Sequence, residues 1–132
     1  MPSYRLLTSL YFASADDQDD WQPENELDQP RRFDAVVDTG ARLTTLPYAV
    51  WQPFTDEIHL LEVKQSQRTI YVKGNTYSYR LGRVLLAAVD NNDRWLPPAR
   101  TIVCCLDYHP DPPPALLGLT SPFLSNNRRL RH

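Results

Sequence analysis

The chain lacks any long hydrophobic run, although it has 132 residues. A membrane-spanning helix needs about 20 consecutive, predominantly apolar residues. The first residues, Met1–Leu7, are also too short and too polar to form a secretion signal. We therefore expect a cytoplasmic protein without a membrane partner.

Cysteine is scarce as well. Cys104 and Cys105 are the only two cysteines, and they are adjacent. Neighbouring residues of a strand point to opposite faces, which makes a disulfide between them geometrically difficult. The three histidines, His59, His109 and His132, show no ligand-like spacing to either thiol. The sequence thus predicts two buried thiols in a reducing compartment and no metal site.

Neither sign of charge is in large excess. The chain carries 14 Lys and Arg against 16 Asp and Glu, a formal net charge of -2 at pH 7, so a nucleic-acid partner is not expected. The length fits one domain, because domains most often contain about 100–150 residues. We predict a single domain over residues 1–132, with an acidic loop insertion at about residues 13–30. Such a loop stays solvated because like charges repel; recruitment of a basic partner is the alternative.

The most informative absence concerns a motif. Asp38-Thr39-Gly40-Ala41 ends the apolar run 33–37, and no second Asp-Thr-Gly or Asp-Ser-Gly occurs. In this pattern a strand carries a carboxylate to its end, and Gly40 lets the backbone turn sharply past it. One carboxylate is a poor catalyst of peptide hydrolysis, but two about 3 Å apart share a proton and act as general base and general acid. The second carboxylate must then come from another copy of the chain, in a two-fold homodimer.

A second motif lies downstream. The apolar run Pro114-Ala115-Leu116-Leu117-Gly118 ends in glycine, and Thr120 or Ser121 can cap a helix with Pro122 in its first turn. Over residues 33–126 the chain resembles the retropepsin-like aspartic peptidases, the single-domain, homodimeric relatives of pepsin. Their pattern is two hydrophobic residues before Asp-Thr/Ser-Gly-Ala, a flap hairpin, and two hydrophobic residues with Gly before a helix.

The resemblance implies a fold, an activity and residue roles. The fold would be all-β, a closed retropepsin-like β-barrel with a flap hairpin and one or two short helices. The activity would be aspartic endopeptidase cleavage of a peptide or protein substrate without a cofactor. Asp38 of each subunit would activate the water, and Thr39 would brace the two active-site turns against each other. The floor of the cleft and the support behind the turn would be formed by Gly40, Ala41, Leu116, Leu117 and Gly118.

The flap is expected between two strands. Segments 69–73 and 76–81 flank Gly74-Asn75, a pair that suits a two-residue turn with glycine first. Gly82 predicts a bend or bulge before the strand continues over 84–89. The resemblance makes this hairpin a mobile, substrate-binding lid formed by Tyr71, Val72, Lys73, Gly74 and Asn75. The alternative is an ordinary surface turn, with the flap nearer residues 64–67.

Other elements are predicted from local patterns. Residues 4–12 and 101–106 are rich in strand formers. Pro47 can open a short helix over 48–51, and Pro53 limits its extension. We therefore expect short strands with a single helix after the Asp38 turn.

The chain departs from the viral members of the family after both motifs. Those enzymes have acidic residues after the motif alanine and an arginine after the later glycine, and the two regions form an ion pair. Here the corresponding residues are Arg42-Leu43 and Leu119. Loss of both partners leaves no orphaned charge, so the chain resembles cellular or bacterial members more closely. Family members also interleave terminal strands between subunits, which would involve residues 1–8 and 128–132 here.

Two other functions stay open at this point. A catalytically silent member of the family would keep the dimer and bind peptides by strand addition, as an adaptor. In a structural β domain without a peptide site, Asp38 would only cap a turn.

Overall fold

The structure, a computed structural model, describes residues 6–13, 31–38, 40–62, 64, 68–90 and 92–118. In this part of the chain strands predominate, and the predicted all-β class is confirmed. The elements, in chain order, are β1 Leu6–Phe12, β2 Arg32–Val37, β3 Thr44–Leu46, α1 Tyr48–Trp51, a 3-10 helix Gln52–Glu57, β4 His59–Leu60, β5 Thr69–Val72, β6 Asn75–Ala88, β7 Ala99–Leu106 and β8 Leu116–Leu117. No helix among the described residues is long and apolar enough to cross a membrane.

Several predicted features fall on residues that the structure does not describe. Thr39, most of the acidic loop, and residues 1–5, 65–67 and 119–132 lie outside the described residues. The same holds for the helix predicted after Thr120. These features therefore remain predictions. Residues 6–8 of the predicted terminal strand are described; they belong to β1 and pair with β2 of the same chain.

The strands pair in the order β1-β2-β8-β3-β7-β6-β4, with β5 paired to β6 and an additional pairing between β1 and β6. Two of the pairings, β2 with β8 and β3 with β7, are parallel. A parallel pair requires a long connection between its strands. Strands that are far apart in sequence are therefore brought together beside residue 38, where β2 ends.

Strand alternation divides the apolar side chains among three clusters. The main core contains Leu10 and Phe12 of β1 together with alternate residues of β6, such as Leu86. Tyr11 of β1 points the other way and packs with Leu85 and other residues of a second cluster. A third cluster contains Val72, Tyr77, Leu106 and Leu116, with Val36, Ile70 and Tyr79 packed against it. This third cluster, called the hairpin-base cluster below, joins β5 and β6 to β7 and β8.

The helix after the Asp38 turn forms where the prolines predict it. Pro47 is the N-cap of α1 with an extended backbone, and Pro53 lies near the start of the 3-10 helix that follows. Trp51, at the end of α1, is buried, and its indole Nε1–H donates a hydrogen bond to the Leu106 carbonyl at 2.8 Å. That bond satisfies the indole polar group inside the core and fixes α1 against β7.

Two glycine predictions were wrong in detail. The hairpin turn is formed by Lys73 and Gly74, not by Gly74 and Asn75, because Val72 pairs with Asn75. Both turn residues have positive φ, 48° and 90°, which is the pattern of a type I′ turn with glycine in second position. At Gly82 no bulge occurs, since β6 and β7 keep one register from Tyr79 to Leu86.

Gly82 is instead a point of close packing. A Cβ atom at this position would lie 2.7 Å from Ile58 Cγ2 and 3.1 Å from Cys105 Sγ. The first distance is too short for two carbon atoms, so neighbouring groups would have to move. The absence of a side chain allows Ile58 to pack directly on β6.

Gly82→Ala should therefore lower the free energy of unfolding by about 1–3 kcal/mol, as overpacking does in other cores. In an Ile58→Ala background the same substitution should cost less, because the Cγ2 methyl that it meets is gone. Denaturant unfolding of the wild type, the two single variants and the double variant gives the coupling free energy between positions 58 and 82. An undiminished cost in the Ile58→Ala background would contradict the packing explanation.

The two cysteines are buried free thiols, as predicted. Cys105 belongs to the main core, whereas Cys104 lines a cavity on the other side of β7. Burial raises the pKa of Cys104 to about 11 and that of Cys105 to about 12. The folded protein thus holds both groups in the neutral form more strongly than the unfolded chain does.

This difference predicts a loss of stability in alkaline solution. A group whose pKa is raised on folding contributes stability that is complete below the unfolded pKa and is lost as pH rises. Here the loss should extend from about pH 9 to about pH 12. Denaturant unfolding across this window should give a shallower decline for a variant with Cys104→Ala and Cys105→Ala. Thiol-specific labelling at pH 8 should also be much slower for the native wild type than in denaturant; equal rates would contradict the burial.

Candidate active site

Asp38 lies directly after β2, beside the end of β8. Its backbone N–H donates to the Leu117 carbonyl at 3.0 Å, and the Val36 N–H donates to the Ala115 carbonyl at 2.9 Å. These bonds continue the parallel register of Val36 with Leu116 and Val37 with Leu117. The half-buried carboxyl group of Asp38 is therefore positioned by two strands and not by a flexible loop.

The chain turns immediately after this residue. The Gly40 N–H donates to Asp38 Oδ1 at 2.9 Å, and the Ala41 N–H donates to the Asp38 carbonyl at 3.1 Å. The first of these bonds holds one carboxyl oxygen toward the turn. Hydrogen bonds of this kind restrict the side-chain rotamer, so the orientation of the Asp38 carboxyl group is fixed locally.

Gly118 supports the turn from behind. A Cβ atom on Gly118 would lie 2.3 Å from the Leu43 carbonyl carbon and 2.7 Å from the Thr44 nitrogen. The Gly118 N–H donates to Thr44 Oγ1 at 3.1 Å in a buried position. Only glycine allows two backbone segments to approach so closely, which explains why the second apolar run ends in this residue.

A cavity of about 430 Å³ joins the Asp38 turn to the hairpin. Seven of the residues predicted for the site line it together: Asp38, Gly40, Ala41, Leu116, Tyr71, Val72 and Lys73. Leu117, Gly118, Gly74 and Asn75 are not among the described residues that line it. Leu117 is buried in the main core, and Gly74 is exposed at the hairpin turn.

The hairpin has a buried base and an exposed tip. Val72 and Tyr77 pack with Leu106 and Leu116 in the hairpin-base cluster, and the Tyr77 hydroxyl donates to the Asp111 carbonyl at 2.8 Å. In contrast, the Tyr71 side chain is 72% exposed. The base is thus attached to the body of the protein, while the tip has little packing to resist movement.

The sequence did not identify every residue of the cavity. Its described lining also includes Arg42, Leu43, Thr45, Thr69, Ile70, Tyr79 and Cys104. Cys104 and Tyr79 both line the cavity. Burial raises the pKa of Tyr79, and its interaction with the Cys104 thiol raises this pKa further. For Thr45 the sequence does carry a local signal for a strand, because the β-branched pair Thr44-Thr45 before Leu46 is typical of one.

The described residues of the site supply carboxyl, thiol and hydroxyl groups. Among the described residues, no group of three or more His, Cys, Asp or Glu side chains could hold a metal ion. A scan of the chain against protein-family models finds no match, and a search of curated proteins finds none either. The geometry around Asp38 is therefore the feature of this chain from which a function can be inferred.

The two glycines beside Asp38 should respond differently to substitution. Gly118→Ala should lower the free energy of unfolding by about 3 kcal/mol or more, because its Cβ would overlap backbone atoms that cannot rotate away. Gly40→Ala should cost less than about 1 kcal/mol, since its Cβ would lie 3.2 Å from Asp38 Oδ1, a side-chain atom. Thermal and denaturant unfolding measure both effects; equal costs would contradict the assigned backbone contact.

Proposed function

We propose that this protein is an aspartic endopeptidase of the retropepsin type, active as a homodimer. The observation that carries the proposal is the cavity in which Asp38 and the hairpin residues Tyr71, Val72 and Lys73 meet. An extended peptide in such a cavity lies between a fixed carboxyl group and a lid. That arrangement suits hydrolysis of the peptide backbone.

The strand pairings support the family assignment. The pairing of β1 with β6 connects β1, β2, β8, β3, β7 and β6 into a ring, with β4 paired outside it, which is consistent with the closed barrel that the resemblance implies. The hairpin follows the Asp38 turn, and its second strand is long, with 14 residues. The chain then returns through β7 to the Leu116-Leu117-Gly118 motif, in the order that the family pattern requires.

The proposed chemistry uses Asp38 from each of two subunits. Two carboxyl groups about 3 Å apart cannot both ionise, so they hold one proton between them. The ionised group removes a proton from water as the water attacks the scissile carbonyl, while the protonated group donates to the carbonyl oxygen. The first carboxyl group then gives the proton taken from water to the leaving nitrogen as the C–N bond breaks, and the second regains its proton from the hydroxyl group of the intermediate. The rate should have a bell-shaped pH dependence that belongs to the pair.

The other residues have supporting roles in this proposal. Thr39 braces the two turns, and Gly40 and Ala41 form the floor of the cleft. The Asp38 turn is supported from behind by Leu116, Leu117 and Gly118. The hairpin binds the substrate backbone by strand addition and excludes water when it closes.

Replacement of Asp38 tests the catalytic role. Asp38→Asn should abolish cleavage of a peptide library between pH 4 and pH 8, because an amide can neither accept nor release the shared proton. Asp34→Asn is the matched control, since Asp34 is an exposed residue of the same strand, β2. Its carboxyl Oδ1 accepts a hydrogen bond from the Ser9 hydroxyl, which an asparagine oxygen can replace. Loss of cleavage in both variants would argue against a specific role for Asp38.

Mixing the subunits tests the shared site. When an equal amount of Asp38→Asn protein is equilibrated with wild type, random pairing should reduce the activity to about half, because each mixed dimer has one carboxyl group. Unchanged activity, or a protein that is monomeric at high concentration, would contradict the dimer. A wild type that binds peptides without cleaving them would favour the adaptor function.

A further inference from the structure

We propose that the Asp38 cavity selects peptides that carry acidic side chains near the cleaved bond; this inference rests on the proposed function. Among the described residues that line the cavity, Arg42 and Lys73 are cationic and Asp38 is the one carboxylate. Within each subunit, the described part of the lining therefore has more positive than negative groups. A peptide that brings carboxylates into the cavity would meet complementary charge.

The two cations come from different segments of the cavity lining. Arg42 follows the Asp38 turn, on the same side as Gly40 and Ala41, whereas Lys73 lies at the tip of the hairpin. Lys73 has a left-handed backbone conformation, φ 48°, which the type I′ turn with Gly74 requires. The turn fixes the backbone of Lys73 at the hairpin tip, where the residue lines the cavity. A strand-like peptide bound between the Asp38 turn and the hairpin would lie within reach of both charges.

The chemistry of these groups suits carboxylates. A guanidinium group can bind both oxygens of a carboxylate with two parallel hydrogen bonds, and an ammonium group attracts it as a compact charge. Both side chains are exposed, so substrate can reach them. The remaining lining includes Ile70, Val72 and Leu116, which would contact apolar side chains close to the scissile bond.

The homodimer increases this charge imbalance. Two subunits would contribute four cations, while the paired Asp38 carboxyl groups with one shared proton would contribute a single negative charge. Two-fold symmetry would also repeat Arg42 and Lys73 on the other side of the scissile bond. Acidic residues on either side of the bond should therefore be favoured.

A matched set of peptides tests this selectivity. Each peptide has one apolar central sequence, acetylated and amidated ends, and flanking Glu, Gln or Lys residues, so that side chains supply the only carboxylates. For the wild type, kcat/KM for the Glu peptide should exceed that for the Gln peptide by about 3- to 10-fold, with the Lys peptide lowest. The ratio should shrink in about 1 M salt, where exposed charges are screened.

Variants assign the effect to the two cations. Arg42→Gln and Lys73→Gln should each lower the Glu-to-Gln ratio of kcat/KM, and the double variant should bring it close to one. Arg83→Gln is the control, because Arg83 is an exposed residue of β6 that lines a different cavity. The Arg83→Gln protein should keep the wild-type ratio. A wild type that cleaves the three peptides equally, or Arg42→Gln and Lys73→Gln variants that keep the full ratio, would overturn the inference.

Failure of the proposed function is distinguishable from failure of this inference. If the wild type cleaves none of the peptides, the peptidase proposal fails, and binding of the same peptides is measured by fluorescence anisotropy. Tighter binding of the Glu peptide, weakened by Arg42→Gln and Lys73→Gln, would still support an acidic-peptide site. Equal binding, or no binding, of the three peptides would overturn it.

Discussion

The arrangement around Asp38 depends on the contact between the Gly118 backbone and the segment Leu43-Thr44. This contact joins residues 74 positions apart in sequence through the bond from the Gly118 N–H to Thr44 Oγ1. It places β8 between β2 and β3, where Leu117 accepts the Asp38 N–H. Without it, the carboxyl group would lie at the end of one short strand. With it, the two motifs of the sequence form one structure.

Much of this structure could be predicted because its signals are local. The Asp38-Thr39-Gly40-Ala41 and Leu116-Leu117-Gly118 motifs each join an apolar run to a glycine, and Pro47 indicated the helix that begins at Tyr48. The hairpin turn was misplaced by one residue, because a glycine suits the first position of one turn type and the second of another. The choice depends on the pairing of Val72 with Asn75. Long-range register also brings Cys104 and Tyr79 to the cavity, so no local pattern could indicate them.

The hairpin-base cluster links the hairpin to the Asp38 turn. Leu116 packs in this cluster with Val72 and Tyr77, and it also lines the cavity beside Asp38. Movement of the hairpin base would therefore disturb the strand that holds the carboxyl group. Movement of the exposed tip at Lys73-Gly74 would not, because the tip lies beyond the packed residues. The packing thus restrains the hairpin base and the Asp38 turn more than the hairpin tip, as the proposed lid would require.

Under the proposed function, the same contact explains how position 42 can differ from the acidic residues of the viral enzymes that the chain resembles. In those enzymes an ion pair joins the loop after the motif to the region after the later glycine, so the charge of the loop contributes to its shape. Here a neutral bond from Gly118 to Thr44 and close backbone packing against Leu43 hold the loop. Neither contact uses the Arg42 charge. In the proposed peptidase, a change of charge at Arg42 would leave both of these contacts in place, and it would act in the cavity beside Asp38, where it would affect peptide selection.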